Sequence, residues 1–364
     1  MTKSLFISSM NEYSGKTLMS LGLGLRFQKD GFKVGYFKPF GSQVTTVDGE
    51  AVDEDAVFIK KHLKLDDSLK DISPVLLTHD LMIRALKADI NIKELETTVK
   101  NAYEKVAKDK DILLIGGNRE LIMGHHLGLS GLQLSQKLDT QVLLIDSYRS
   151  EGVYYDSILF AKEFLKERLF GVILNYIPAF NMDYVKRNII PFLDRHGIDV
   201  FGVIPEDPIL KSMTVEQIVE ILQGTVICCE NKLDEPVENF LVGAMDVENA
   251  MKYFHKSPNK AVITGGHRAD IILAALETST KCLVLTGGEV PRSRIISKAE
   301  DAGVPIISTQ NDTFTTIEKL EREFGKVRVR DNRKIERINK FLDMHFNFNA
   351  FYEALNLKPD VCRT

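Results

Sequence analysis

The chain has 364 residues, and 47 lysines and arginines against 51 aspartates and glutamates leave a formal net charge of −4. With 44% hydrophobic and 27% charged residues, the composition is that of a globular protein rather than a disordered one, and no basic excess points to nucleic acid. At ~100–200 residues per domain, the length predicts two domains or three.

No apolar run approaches the ~20 residues of a membrane-spanning helix. The start, Met1-Thr2-Lys3-Ser4, enters a strand without the zones of a signal peptide. Of the four cysteines, Cys228 and Cys229 are adjacent and Cys282 and Cys362 isolated, which is neither a disulfide framework nor a zinc spacing. A reduced, cytoplasmic protein without a membrane or nucleic-acid partner is expected.

The first predicted strand, Leu5-Phe6-Ile7, runs into a loop ending in Ser14-Gly15-Lys16-Thr17, which opens a helix carrying Leu18, Leu21 and Leu23. A phosphate loop needs these residue types for separate reasons. Free loop amides and the helix N-terminus donate to phosphate oxygens, and Gly15 lets the backbone approach. Lys16 reaches the β/γ-phosphates and the Thr17 hydroxyl ligates Mg²⁺. Met10 stands where the common spacing has a first glycine, with Ser9 before it, as in a loop one residue longer. Nucleotide binding is expected, since an ordinary helix start leaves the lysine unexplained.

The next run, Val34-Gly35-Tyr36-Phe37, ends in Lys38-Pro39. A lysine at a strand's C-terminal end stands where open α/β sheets bind ligands. In Val52-Asp53-Glu54-Asp55-Ala56-Val57, Asp55 is a metal candidate and Asp53 its reserve, while helix capping is the plainer use of such residues. Asp111 to Ile115 leads into Gly116-Gly117-Asn118-Arg119-Glu120, and His125-His126 follow as an exposed pair or part of a ligand loop. Three further runs, 141–145, 169–174 (followed by Asn175) and 200–204, complete six. Continuous apolar runs suit strands buried on both faces. Helical segments between them predict right-handed crossovers and a three-layer α/β domain with a mainly parallel sheet.

Polar residues from Glu230 to Pro236 place a boundary between Gly224 and Glu238, giving domains at 1–224 and 238–330 and a helical tail at 331–364. Cys228-Cys229 are expected to end a buried strand. The second domain repeats the α/β reading at 261–263, 282–285 and 304–307, and the first two runs enter Thr-Gly-Gly. With His267 and Arg268 following, that turn is an anion cradle or simply a tight strand-to-helix turn. The basic stretch from Lys326 to Lys340 is interleaved with Asp331 and Glu336 and is expected to be a solvated helix face. In the tail, Ile335, Ile338, Phe341, Leu342 and His345 share a helix face, and Phe346, Phe348, Phe351 and Tyr352 lie close together. They cover the domain's own core or a second copy of the chain.

Phe6-Ile7-Ser8-Ser9, five residues on from which stand Gly15-Lys16-Thr17, resembles the dethiobiotin synthetase loop, with Ser9 where that family usually has glycine. Lys33 to Ser42 resembles that family's second-strand Lys-Pro motif, and the acidic run around Asp55 its metal-holding segment. The resemblance implies ATP and Mg²⁺ as cofactors. It implies Ser14, Gly15, Lys16, Thr17 and Asn175 as nucleotide contacts, Asn175 reading adenine, with Gly202-Val203-Ile204-Pro205 over the purine. Lys16 and Lys38 would meet the transferred phosphate, and Thr17 and Asp55 the metal. Gly116 departs from the pattern, for the synthetases carry a metal-organising glutamate there, and Glu120 replaces it only if its loop folds back. The departure bears on turnover more than on binding.

Ile263 to Ile271 resembles the signature of the DRTGG domain. The domain order resembles the N-terminal half of long bacterial phosphate acetyltransferases and stand-alone phosphotransacetylase-like proteins. Acetyl transfer would take a further domain beyond Thr364 and is not expected of this polypeptide. The implied function is an ATP-binding regulatory or nucleotide-sensing protein with slow ATPase activity. The alternative is an ATP-dependent ligase phosphorylating a carboxylate or carbamate, of dethiobiotin synthetase or cobyrinic acid a,c-diamide synthase type. A structural module with a dead site is a third class, disfavoured by Lys16, Thr17 and Lys38. Expected partners are the nucleotide, a regulated protein and a second copy, in a homodimer held by residues after 238.

Overall fold

In the computed structural model, which describes residues 2–149, 153–323 and 332–359, the six apolar runs of the first half lie side by side. They form β1 (Lys3–Ser8), β2 (Val34–Phe37), β3 (Ile112–Gly116), β4 (Gln141–Ser147), β5 (Leu169–Ile177) and β6 (Val200–Pro205). The order is β6-β5-β4-β1-β3-β2, and every neighbouring pair is parallel. β1 therefore lies inside the sheet, flanked by β3 and β4, and its C-terminal end is walled on both sides. On one face Phe6, Leu113, Val142 and Leu144 pack with Val99, Val106, Leu134 and Ile158 from flanking helices. Helix α1 (Lys16–Lys29) lies against the other face, burying Leu18, Leu21, Leu23 and Phe27.

The tail completes that second face. Helices Asn332–His345 and Phe348–Leu355 pack on α1 and β6. A methyl group on Gly22 of α1 would come within 2.6 Å of Leu342. Phe351 is fully buried, its ring 6.0 Å from that of Phe27, 5.3 Å from Phe170 and 5.0 Å from both Phe201 and Phe346. Arg26 ties the tail from the surface, donating to Asp343 at 2.7 Å and lying 4.3 Å over the Phe348 ring. The expected single helical tail is thus two helices, broken where Phe346 bridges Gly202 and Asn347 caps the second helix. Its four aromatics are all buried, so of the two expected uses, the chain's own core or a second copy, they take the first. They serve the first unit's own core.

The contacts divide the chain into Met1–Glu206 with Val329–Thr364, and Asp207–Arg328. Sequence composition places these boundaries at 224–238 and at 330. The segment after Glu206 goes with the second unit because Val215, Ile218 and Leu222 join a core with Ala261, Ile263 and Val284. That unit holds β7 (Thr225–Cys228), β8 (Asn239–Val242), β9 (Lys260–Gly265), β10 (Thr280–Thr286) and β11 (Ile306–Ser308), in the order β7-β11-β10-β9-β8. Within this five-stranded sheet, among the described residues, only β7 runs antiparallel to its neighbour. It ends at the buried Cys228, and Cys229 turns the chain with a left-handed φ of 59°.

The two Thr-Gly-Gly runs end the adjacent strands β9 and β10, with Gly265 opposite Thr286. Arg268 is bound by both oxygens of Asp270 at 3.0 Å and donates to the Met245 carbonyl at 2.8 Å. His267 faces Glu289 at 3.6 Å. With the arginine committed and a carboxylate beside the histidine, this is a tight turn rather than an anion cradle. Lys326 to Asp331 and Cys362 lie outside the described residues. Among the described residues no helix is long and apolar enough to cross a membrane.

Candidate functional site

The end of β1 feeds residues 9–15, and the loop closes on Gly15, whose φ of 88° is left-handed. A Cβ there would stand 2.5 Å from the Asn175 Nδ2, so glycine is required on both counts. Lys16 turns its Nζ back into the loop, donating to Ser9 Oγ at 2.6 Å and to the Arg119 carbonyl at 2.7 Å. Burial, and then the neighbouring charge of Lys38, lower its pKa to about 7. Ser9 is the residue that stands in place of the usual glycine, and its hydroxyl donates in turn to the Asn11 carbonyl at 2.6 Å.

Helix α2 (Glu54–Leu63) brings the acidic candidate to the loop. Thr17 Oγ1 donates to Asp55 Oδ1 at 2.8 Å, and Lys38 Nζ donates to Asp55 Oδ2 at 2.6 Å and to the Gly117 carbonyl at 3.0 Å. Burial opposes both charges of the Lys38–Asp55 pair, but each partner overrides it. Lys38 is held above the ordinary lysine range and Asp55 below the carboxylate range. Asp53 is spent elsewhere, capping α2 through Ala56 N at 3.1 Å and accepting from Gln43 N at 3.3 Å. Burial raises its pKa to about 6.

Thr17, Lys38 and Asp55 are therefore joined by short hydrogen bonds, and Lys16 lies close enough for the charges of Lys38 and Asp55 to act on it. Ser14 and Gly15 lie beside them, held by Asn175, whose Nδ2 donates to the Ser14 carbonyl at 2.9 Å. The Asn175 side-chain oxygen accepts from Tyr176 N at 3.0 Å on its own strand, so the amide is engaged at both ends, its nitrogen at the loop. His125 and His126 are exposed.

Gly116 ends β3 against an occupied space. A Cβ there would lie 2.1 Å from the Tyr36 hydroxyl, and Tyr36 is buried on the neighbouring β2. The position that resembling synthetases fill with glutamate is filled here from the next strand by a phenol, which burial keeps protonated. Glu120, one loop away, acts on Lys16 through its charge.

Seven buried side-chain atoms among the described residues have no hydrogen-bond partner, and four of them surround this site: Ser8 Oγ, Ser14 Oγ, Asn118 Oδ1 and Asp146 Oδ2. Buried polar atoms are nearly always paired. Their concentration at the ends of β1, β3 and β4 marks a place built for a polar ligand, and the serine hydroxyls can donate to phosphate. Hard oxygen donors on Thr17 and Asp55 fit Mg²⁺, which takes one or two protein oxygens and completes its shell with phosphates and water. No group of three His, Cys, Asp or Glu side chains among the described residues could hold a metal by itself.

Asn11 and Asp146 were not singled out from sequence, yet Asn11 Nδ2 donates to Asp146 Oδ1 at 2.6 Å. The available signal was an aspartate closing an apolar strand, Val142 to Ile145. Tyr36 carried no signal, because its role depends on which strand lies next to β3.

Sequence comparison adds to this geometry. The model of the AAA domain family matches residues 3–214 and that of the DRTGG domain residues 217–323. The phosphate acetyltransferase of Nitratidesulfovibrio vulgaris is 24% identical over 95% of this chain and 51% of its own length. That of Pseudomonas aeruginosa is 25% identical over 94% and 51%. The chain thus spans about half the length of the curated relatives it matches. Among solved structures, the septum site-determining protein MinD of Pyrococcus horikoshii, complexed with Mg-ADP, aligns with a TM-score of 0.35 and 21% identity, covering 58% of this chain and 84% of that one.

Proposed function

The chain belongs to the AAA domain family, and from that premise we propose that it binds Mg·ATP at the loop around Lys16 and acts as a nucleotide-dependent regulatory protein with slow ATP hydrolysis. One observation carries the reading. Lys16, Thr17, Lys38 and Asp55 converge on a loop whose surroundings hold four buried polar atoms without partners. Thr17 and Asp55 would hold Mg²⁺, which supplies positive charge against the phosphates. Lys16 and the loop amides meet the phosphates, and Asn175 serves by bracing Ser14 and Gly15. Slow turnover follows from the missing carboxylate at Gly116.

The DRTGG domain is the natural place for the regulatory output, towards a protein partner or a second copy in the cytoplasm. Exposed Val242, Met245, Val247 and Tyr253 support a homodimer through this unit. Calorimetry tests the reading: wild type binds ATP, Lys16→Ala does not, and Thr17→Ala loses mainly the Mg²⁺-dependent part. Equal affinity in wild type and Lys16→Ala overturns it.

A ligase acting on a small acid is favoured by a second observation. An apolar groove of about 390 Å³, lined by Met10 of the loop with Leu121, Ile122, Leu132, Phe160 and Phe164, offers room for an apolar body beside the phosphates. ATP hydrolysis that rises on adding a small carboxylic acid would select this reading.

A further inference from the structure

Asp146 stands next to the end of β4 with its side chain fully buried, on the strand beside the one that feeds the phosphate loop. Its Oδ1 accepts from Asn11 Nδ2 at 2.6 Å and from the Ser147 backbone at 3.1 Å. Among the described residues no protein donor reaches its Oδ2. Burial raises its pKa to about 6, although Asn11 and the charges of Arg149 and Lys16 favour the ionised form.

A carboxylate here is costly to keep, and the preceding Val142, Leu143, Leu144 and Ile145 show what the strand otherwise uses. Its contact accounts for it. Asn11 is one link in a chain of hydrogen bonds: its carbonyl accepts from Ser9 Oγ, and Ser9 Oγ accepts from Lys16 Nζ. Asn175 holds the far end of the loop at Ser14, and Asp146 holds the near end at Asn11. The two anchors come from neighbouring strand ends, since β4 pairs with β5 at Ser147 and Asn175.

We propose that Asp146 is a positioning residue of the nucleotide site, fixing the phosphate loop through Asn11 in the shape from which Lys16 and the loop amides meet phosphate. This assignment rests on the ATP-binding reading above.

The test is a double-mutant cycle on ATP affinity with the full chain, thermal unfolding of each variant serving as the check on folding. Hydrogen bonds to charged groups are the stronger kind, so Asn11→Ala and Asp146→Ala should each weaken ATP by about tenfold. Asn11→Ala with Asp146→Ala should be no weaker than either alone, because both remove one contact. Asp146→Asn, whose amide oxygen still accepts from Asn11, should recover most of the affinity that Asp146→Ala loses. A merely structural carboxylate would give additive losses and no such recovery. Additive losses, or ATP binding indifferent to Asn11, overturn the assignment while leaving the nucleotide reading intact. Failure of wild type to bind ATP overturns both.

Discussion

Lys16 is a lysine whose charge is lost above about pH 7, because burial and Lys38 both oppose it. A bound phosphate favours the protonated form, so binding above pH 7 should take up a proton. Affinity should then fall as pH rises past 7, by up to about tenfold per unit. Calorimetry at pH 8 in two buffers of different ionisation enthalpy reads this directly, and heats that do not depend on the buffer would mean that no proton is taken up and that Lys16 is already charged before binding. At Gly116 the obstacle is steric. Gly116→Glu drives a Cβ to 2.1 Å from the Tyr36 hydroxyl, and such overpacking should cost about 1–3 kcal/mol in thermal stability. Restoring the carboxylate therefore takes Tyr36→Ala as well. Faster ATP hydrolysis in that double variant than in Tyr36→Ala alone would show that this position organises the metal.

At the level of elements, the tail helices are held by an aromatic cluster centred on Phe351. Truncating a fully buried phenylalanine packed with five rings should cost about 3–5 kcal/mol. Phe351→Ala is expected to lower the unfolding free energy of the first unit by that amount, read as a lower denaturant midpoint at unchanged slope, with the phosphate loop untouched. An unchanged midpoint would mean the tail is not part of that cooperative unit. The tail's helical spacing and its aromatics are plain in the sequence, but nothing in the spacing names the surface it covers. In the second unit β9, β10 and β11 are evident as apolar runs. β8 is not, because it is a sheet edge with only intermediate and exposed side chains.

For the whole molecule, the chain begins the first unit and returns to finish it after the second has been threaded in. Removing residues after Glu323 should uncover Phe27, Phe170 and Phe201. The shortened chain is expected to bind a hydrophobic dye and to lose ATP-dependent thermal stabilisation. A peptide of residues 332–359 added in trans should reverse both effects, and a shortened chain that behaves as the full one would contradict this packing.

The first unit's six strands, the phosphate loop, and Lys38 and the acidic helix start as separate candidates are legible in the amino-acid sequence; that Lys38 pairs with Asp55 is not. Each legible feature is a local signal, a run of apolar residues or a fixed spacing, and local spacing survives into the fold. The sequence ranks Asp55 before Asp53 only by alignment with a resembling family, since both are acidic residues at one helix start. Their roles divide only when capping consumes the first and Thr17 faces the second. Asp146 beside Asn11, Tyr36 over Gly116 and the tail on α1 were likewise decided by tertiary structure. These contacts join residues more than a hundred positions apart, or side chains on neighbouring strands, and strand order sets them.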